Sequence, residues 1–288
     1  MNDQDLPSLY RAADTAAVQA QKTFYLTLLS NLALLTTAAA LSLANSSNPK
    51  FAAIQLLCLL ATLGLSIYLA NSNLQRNWYG SRALAESVKT ISWRYAMRAE
   101  PFHDGNAEAK AEFLASLRKI ISSNTEISSQ ASDMSDVGQI SEKMQSYRSN
   151  SLAVRKQIYI ADRIHDQHTW YTRKANFNRK KGKLFFGILI CINVLAILAA
   201  IGKILFTAFS YWPTDVFVAG AGGILAWIQS KRYQELSASY NLTAHEISLL
   251  KEELPEDSEE LSFSHFVGDA ENAFSREHTQ WQARKDIE

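Results

Sequence analysis

The chain has little chemistry of the kinds that usually announce an enzyme. Its 288 residues include two cysteines, Cys58 and Cys191, too few for a disulfide framework and without the CxxC spacing of a metal or redox site. Both fall inside uncharged apolar runs, where a thiol reads as a small buried or lipid-facing side chain. The six histidines, at 103, 165, 168, 245, 265 and 278, have no HExxH company. There is no GxSxG elbow and no P-loop. Gly220-Ala221-Gly222-Gly223 is glycine-rich, but it sits in an apolar segment with no strand before it. Ala219 and Gly223 therefore read as a small-xxx-small face for close helix packing rather than a phosphate cradle. These absences predict a chain that is not an enzyme, with no cofactor and no metal. Charge imbalance is missing too. A net charge of +1 gives no global attraction for polyanions, so nucleic acid is not an expected partner. No pattern of a cleavable signal peptide precedes the first apolar run, which is expected to be retained.

What the chain does have is long runs without charge. Leu184 to Gly202 follows the basic cluster Arg179, Lys180, Lys181 and Lys183 and extends for nineteen residues. At 1.5 Å per residue it is about 28 Å long, close to the hydrocarbon thickness of a bilayer. Leu26 to Leu43 and Phe51 to Ala70 are similar, joined only by Asn45-Ser46-Ser47-Asn48-Pro49-Lys50. So short a connection makes them antiparallel neighbours in a transmembrane hairpin. A fourth apolar run, Val216 to Ile228, is only thirteen residues long and reaches eighteen when counted from Tyr211-Trp212. With that aromatic pair at the interface it is expected to cross as well. The fold class predicted is all-α: a polytopic membrane protein with two transmembrane helical hairpins, four spans at about 26–43, 51–70, 184–202 and 211–228, and long cytoplasmic helical extensions.

Lysines and arginines near the span ends set the orientation. One side holds Arg11, Lys22, Arg76, Arg82, Lys89, Arg173, Lys174, Arg179, Lys180, Lys181, Lys183, Lys231 and Arg232; the other holds Lys50 and Lys203. Both termini and the middle segment are thus expected in the cytoplasm. The lipid bilayer is the first partner, and the cluster Arg179 to Lys183 is a topogenic anchor able to meet anionic lipid.

The cytoplasmic segments read as helices. Trp78, Arg82, Glu86, Lys89 and Trp93 recur at spacings of three and four, with Arg82, Glu86 and Lys89 placed for ion pairing on one face. A turn at Pro101 to Gly105 ends that helix, and 106–121 is amphipathic. The serine-rich stretch 122–138 is the natural boundary, giving a first module at 1–121 and a second at 139–288. Glycine and proline are absent between Gly138 and Gly182, so a helix carrying Tyr159, Arg163, Gln167, Trp170 and Lys174 is expected to run unbroken into the third span.

The halves also repeat. Gln21-Lys-Thr-Phe-Tyr25 stands before the first hairpin and Gln167-His-Thr-Trp-Tyr171 before the second, each placing Gln and Tyr one helical turn apart. The same residues carry a family resemblance. The first half, with Tyr10, Arg11, Asp14 and Gln21 before a hairpin and then Trp78-Tyr79, Arg82-Ala83, Glu86-Ser87, Lys89, Trp93 and Pro101-Phe102, resembles the SLATT domains, the SMODS- and SLOG-associating two-transmembrane effector domains. The second half, with Arg163, Gln167, Trp170-Tyr171, Lys174-Ala175 and then Phe266-Val267, Glu271, Glu277-His278 and Trp281, is similar to another SLATT subtype, catalogued also as domain of unknown function 4231. The resemblance implies a bacterial membrane effector that forms pores in anti-phage or other conflict responses, beside a nucleotide-signalling partner protein. Two modules without a sensor domain depart from the compact form and leave the activating signal open.

The last chemical signal is polarity inside the spans. Asn31, Gln55 and Asn193 lie well within their runs, and Lys203 and Asp215 bracket the outer end of the second hairpin. A charge costs about 3 kcal/mol at the bilayer centre and much less near an interface, so the last two are tolerable there. These five are candidates either for interhelical hydrogen bonding or for lining a pore. Two functions follow: a homo-oligomeric pore-forming effector, or a membrane-anchored helical scaffold.

Overall fold

A computed structural model describes residues 1–43, 49–103, 105–124, 138–255 and 259–285, with side chains as far as Ser275. Helices make up the fold: α1 (Ser8–Leu43), α2 (Pro49–Asn71), α3 (Leu74–Ala96), α4 (Asn106–Ser123), α5 (Glu142–Ser149), α6 (Leu152–Tyr159), a π-helical stretch at Ile160–His165, α7 (Asp166–Leu205), α8 (Thr214–Lys231), α9 (Tyr233–Glu252) and α10 (Glu260–Lys285). No strand occurs among the described residues, and the all-α class holds.

Short polar residues decide where helices stop. Asn73 takes a left-handed conformation between α2 and α3 (φ 48°), as does Arg232 between α8 and α9 (φ 49°). Asparagine tolerates this region because its short side chain leaves the carbonyls room. The helix expected to carry Tyr159 to Lys174 unbroken into the third span does so, but it begins only at Leu152. Asn150 and Ser151 are extended, and the Asn150 amide turns back to donate to the Ser146 carbonyl at 2.9 Å. Side chains of this type compete with the backbone ladder, which the absence of glycine and proline did not reveal. From Leu152 to Leu205 the chain is continuously helical, but Ile160–His165 widens to π geometry. Most of the expected linker, 125–137, lies outside the described residues.

The chain forms two compact units. The first contains Met1–Gln21, Gln75–Lys174 and Ser239–Glu288, and the second Lys22–Leu74 and Ala175–Ala238. Each unit therefore draws on both halves of the sequence. Helices α1 and α7 contribute to both.

The first unit has two aromatic cores. One surrounds Trp93, with Tyr147, Tyr159, Phe263, Phe266 and Phe274. The other surrounds Phe102 and Phe113, whose ring centroids are 5.8 Å apart, with Leu9, Leu84 and Met144.

The second unit buries small residues, Ala38, Ala196, Ala199 and Ala221, and exposes large ones, among them Leu56, Leu60 and Leu63 of α2 and Ile190, Ile197 and Leu198 of α7. Small residues at helix contacts with bulky apolar ones outside is the pattern of helices packed in lipid. Three stretches are long and apolar enough to cross a membrane by length and composition: Ser8–Leu43, Pro49–Ala96 and Leu152–Leu205. The expected fourth, α8, begins at Thr214 rather than 211 and has only eighteen residues, with Asp215 and Lys231 at its ends. It is not among the helices that pass this measure.

Candidate functional site: a buried ionic lock

Helix α3 carries the first half's motif into the first unit. Arg82 reaches Asp14 of α1 at 2.8 Å and Glu86, one turn along its own helix, at 2.6 Å. Burial works against the guanidinium's charge, but Glu86 and Asp14 together outweigh it and raise the Arg82 pKa. Lys89 lies one turn further, its Nζ 5.8 Å from the centre of the Tyr10 ring. Its pKa is lowered by burial, with Glu86 opposing and Arg163 adding to the shift. Trp93 is 1% exposed and sits at the centre of its core.

The second half's motif meets it there. Arg163, on the π-helical stretch, donates from Nε to Glu271 Oε1 at 2.8 Å and from Nη2 to Oε2 at 2.7 Å. This fork-to-fork pair is buried on both sides, at 1% and 0% exposure. Tyr159 donates its hydroxyl to Glu271 Oε1 at 3.0 Å. The Arg163 guanidinium also lies 4.8 Å from the Phe274 ring centre and 5.8 Å from that of Trp93. Burial works against the charge of the Arg163 guanidinium, and the Glu271 carboxylate more than offsets it, so the Arg163 pKa is raised. Tyr159 is pushed well above the ordinary tyrosine value by burial and by the same carboxylate. Tyr159 and Arg163, four residues apart, share a helical face and reach one carboxylate, while Asp162, one position before Arg163, accepts from the Tyr147 hydroxyl at 2.5 Å.

Two further arginines belong to this assembly and were not singled out from the sequence. Arg155 is fully buried, donating to the Met97 carbonyl at 2.5 Å and pairing with Glu260. Arg148 donates from Nη1 to the Tyr95 and Phe102 carbonyls at 2.9 and 2.8 Å. Their signal was available as arginines seven residues apart in a segment otherwise noted only for its lack of glycine and proline. What the arrangement does chemically is join segments: α1 to α3 through Asp14, and the π stretch to α10 through Glu271. Among the described residues no three His, Cys, Asp or Glu side chains gather closely enough to hold a metal ion.

The repeated Gln and Tyr positions have different fates. In the first unit, half-buried Trp170 meets Tyr171 and Tyr240 edge-on at 4.9 and 5.6 Å, and the Gln167 amide donates to Asp166 at 3.1 Å. Trp78 stacks on Tyr79 at 4.4 Å. Gln21 is half-buried at the end of that unit's first segment. Tyr25 belongs to the second unit, where its ring lies under Lys231 Nζ at 3.2 Å and edge-on to Trp227 at 5.6 Å. The Trp281 side chain lies outside the described residues.

The intramembrane candidates, all in the second unit, are dispersed rather than gathered. Asn31 is buried, donating to the Thr62 carbonyl at 3.2 Å and to Ser66 Oγ at 2.9 Å across to α2. Gln55 returns a bond to Ala38 at 3.2 Å. Asn193 is exposed on α7 and donates to its own helix, at Leu189, 2.8 Å away. Lys203 and Asp215 are exposed, and among the described residues no ion pair joins them. Of the basic cluster, Arg179, Lys180 and Lys183 are exposed, and Lys181 is half-buried with its Nζ 5.8 Å from the Phe177 ring centre.

Residues 7–156 match the family model of SMODS and SLOG-associating 2TM effector domain 3, and residues 159–281 that of SMODS and SLOG-associating 2TM effector domain 1. The chain belongs to the SLATT family. No curated protein and no solved structure matches it. Two tandem SLATT domains make it a membrane effector of biological-conflict systems. The Arg163–Glu271 pair lies within the second SLATT domain, yet the indole beside it, Trp93, comes from the first. The core around Trp93 therefore draws on both SLATT domains, whereas the core around Phe102 and Phe113 draws on the first half of the chain alone.

Proposed function

We propose that this tandem SLATT protein is a bacterial inner-membrane effector that assembles as a homo-oligomer and permeabilises the membrane, without catalysis, in anti-phage or other conflict responses. In this reading α8 is the fourth span, both termini and the middle segment are cytoplasmic, and Arg179, Lys180, Lys181 and Lys183 anchor the cytoplasmic side against anionic lipid. A nucleotide-signalling partner protein supplies the trigger. The observation that carries the reading is Asn193, a polar side chain on the outward face of α7 between exposed Ile190 and Ile197. A lone helix can cross lipid without such a residue, so an outward amide is best used between copies, where it would wet a shared path. Asn31 has a different role, because its amide is already spent between α1 and α2.

The test is Asn193→Leu. Insertion, abundance and oligomer size should be unchanged, while ion leakage and growth arrest on overexpression should be lost. The topology is tested separately by protease added to intact spheroplasts, to which tags at either terminus should be resistant. A second reading, a membrane-anchored scaffold, draws on the Asn193 bond to Leu189, which already satisfies one amide donor within the helix. A parent protein that inserts and assembles but neither leaks ions nor arrests growth on overexpression would favour that scaffold, whereas a conductive Asn193→Leu variant would remove Asn193 from the conduction path.

A further inference from the structure

We propose that residues 204–213, the last two residues of α7 and the connection from it to α8, form a membrane-inserted segment. It rests in lipid at the headgroup level of the outer leaflet and completes the crossing that α8 is too short to make alone. This builds on the reading of α8 as a span.

Four observations lead to it. The first is surface chemistry. Between Lys203 and Asp215 there is no charge. Ile204, Leu205, Phe206, Phe209 and Tyr211 are 74, 69, 63, 54 and 56% exposed. A short connection in water is ordinarily polar, and apolar groups this large and contiguous mark a surface that something apolar covers. The second is continuity. Exposed Ile197, Leu198 and Ile201 on the lipid-facing side of α7 lead without interruption into Ile204 and Leu205. The third is length. The charge-free part of α8, 216–230, is about 22 Å long against a hydrocarbon thickness of about 30 Å. The fourth is order. Trp212 folds back over α7 so closely that a Cβ on Gly202 would come within 2.2 Å of its ring. Phe209 packs edge-on to Trp212 with centroids 5.3 Å apart. The apolar side of the connection is thus a held surface.

Depth follows from the backbone. Residues 206–213 have no helical ladder, although the Phe206 and Phe209 N–H groups donate to the Gly202 and Phe206 carbonyls at 2.9 and 3.1 Å. Lipid-exposed backbone without a ladder does not persist in the hydrocarbon centre, whereas the headgroup region supplies water and polar partners. Tryptophan and tyrosine concentrate at that level. The other hairpin tip, Asn45-Ser46-Ser47-Asn48, has the polar sequence of a connection that leaves the membrane.

The experiment uses the full chain in membranes with Cys58 and Cys191 replaced by alanine and one cysteine placed at Ser46, Ala208 or Ser210. A membrane-impermeant maleimide is added from outside, and labelling is normalised to that after solubilisation. The Ser46 cysteine should react fast, and those at 208 and 210 about tenfold more slowly, as befits thiols sheltered at the lipid interface. A fluorophore on the Ser210→Cys variant, reconstituted in vesicles, should be quenched by lipids carrying a nitroxide near the headgroup. Equal rates at 46, 208 and 210 would overturn the insertion while leaving the topology standing. Slow labelling without lipid quenching would overturn it in favour of cover by a second copy. No external labelling at Ser46 would instead remove the topology on which the proposal builds.

Discussion

Glu271 and Leu63 show how differently the two units treat their side chains. In the first unit a carboxylate is wholly enclosed, at 0% exposure, and held by an arginine and a tyrosine. In the second a leucine is 57% exposed, and buried polar groups such as Asn31 and Thr62 are spent on contacts between neighbouring helices or within one. The reference solvent explains the reversal. Where water is outside, apolar side chains gain by enclosure, and a charge can join them only with a matched partner. Where lipid is outside, leucine gains nothing by being inside, and close packing of small residues holds the helices together.

The sharpest way to break this comparison is to unpair the enclosed charge. Glu271→Ala leaves Arg163 buried without its carboxylate and should cost about 3–5 kcal/mol, read as a large fall in thermal midpoint and folded yield of the solubilised protein. The double replacement Arg163→Met with Glu271→Leu should recover most of that loss, because a well-packed apolar pair needs no compensation. A double variant as unstable as Glu271→Ala would show that the pair does more than neutralise itself.

Glu86→Ala should be milder, about 1–2 kcal/mol, since Arg82 keeps its bond to Asp14. Reduced abundance in the membrane fraction is the expected readout. Normal abundance with lost activity would turn the stripe into a signal-receiving surface.

In the second unit, Asn31→Leu removes the bonds to Thr62 and Ser66 and should cost about 1 kcal/mol, measured as a small shift in resistance to denaturing detergent. A collapse of the protein would mean that lipid-side polarity is as costly to remove as the enclosed charge.

The smallest effect is pH-dependent. Burial pushes Asp162 up, but the bond from Tyr147 and nearby positive charge more than reverse this and hold its carboxyl below the ordinary value. A depressed folded-state value means the unfolded chain binds the proton more readily, so the stabilisation is present above the ordinary carboxylate range and is lost as pH falls through the folded value. Asp162→Asn should therefore lower the thermal midpoint slightly at neutral pH, where the stabilisation is present, and converge with the parent as pH falls below about 4, which flattens the acid limb.

Several features were legible because they depend on the local chain. A run of apolar residues about twenty long can do little but cross a bilayer as a helix, so Leu26–Leu43, Phe51–Ala70 and Leu184–Gly202 could be placed by counting. The motif residues Arg82, Glu86, Lys89 and Trp93 could be placed on one face because helical spacing is fixed. The interruption at Asn150-Ser151 was not legible from the missing glycine and proline, because it arises from side chains competing for backbone bonds. The π-helical turn likewise escaped, since a widened turn gives no compositional sign.

By itself, then, the sequence determined the all-α class and the three long apolar helices through periodicity and length, and the residues of each SLATT motif through family resemblance. Only the tertiary structure decided that Arg163 closes on Glu271 beside an indole from the other SLATT domain, and that Asn31 is spent between helices while Asn193 faces outward. The physical reason is that spacing along a helix fixes which residues share a face, whereas the partner of that face, more than a hundred residues away in the case of Glu271, is chosen by whichever enclosure leaves no buried charge or amide unmatched.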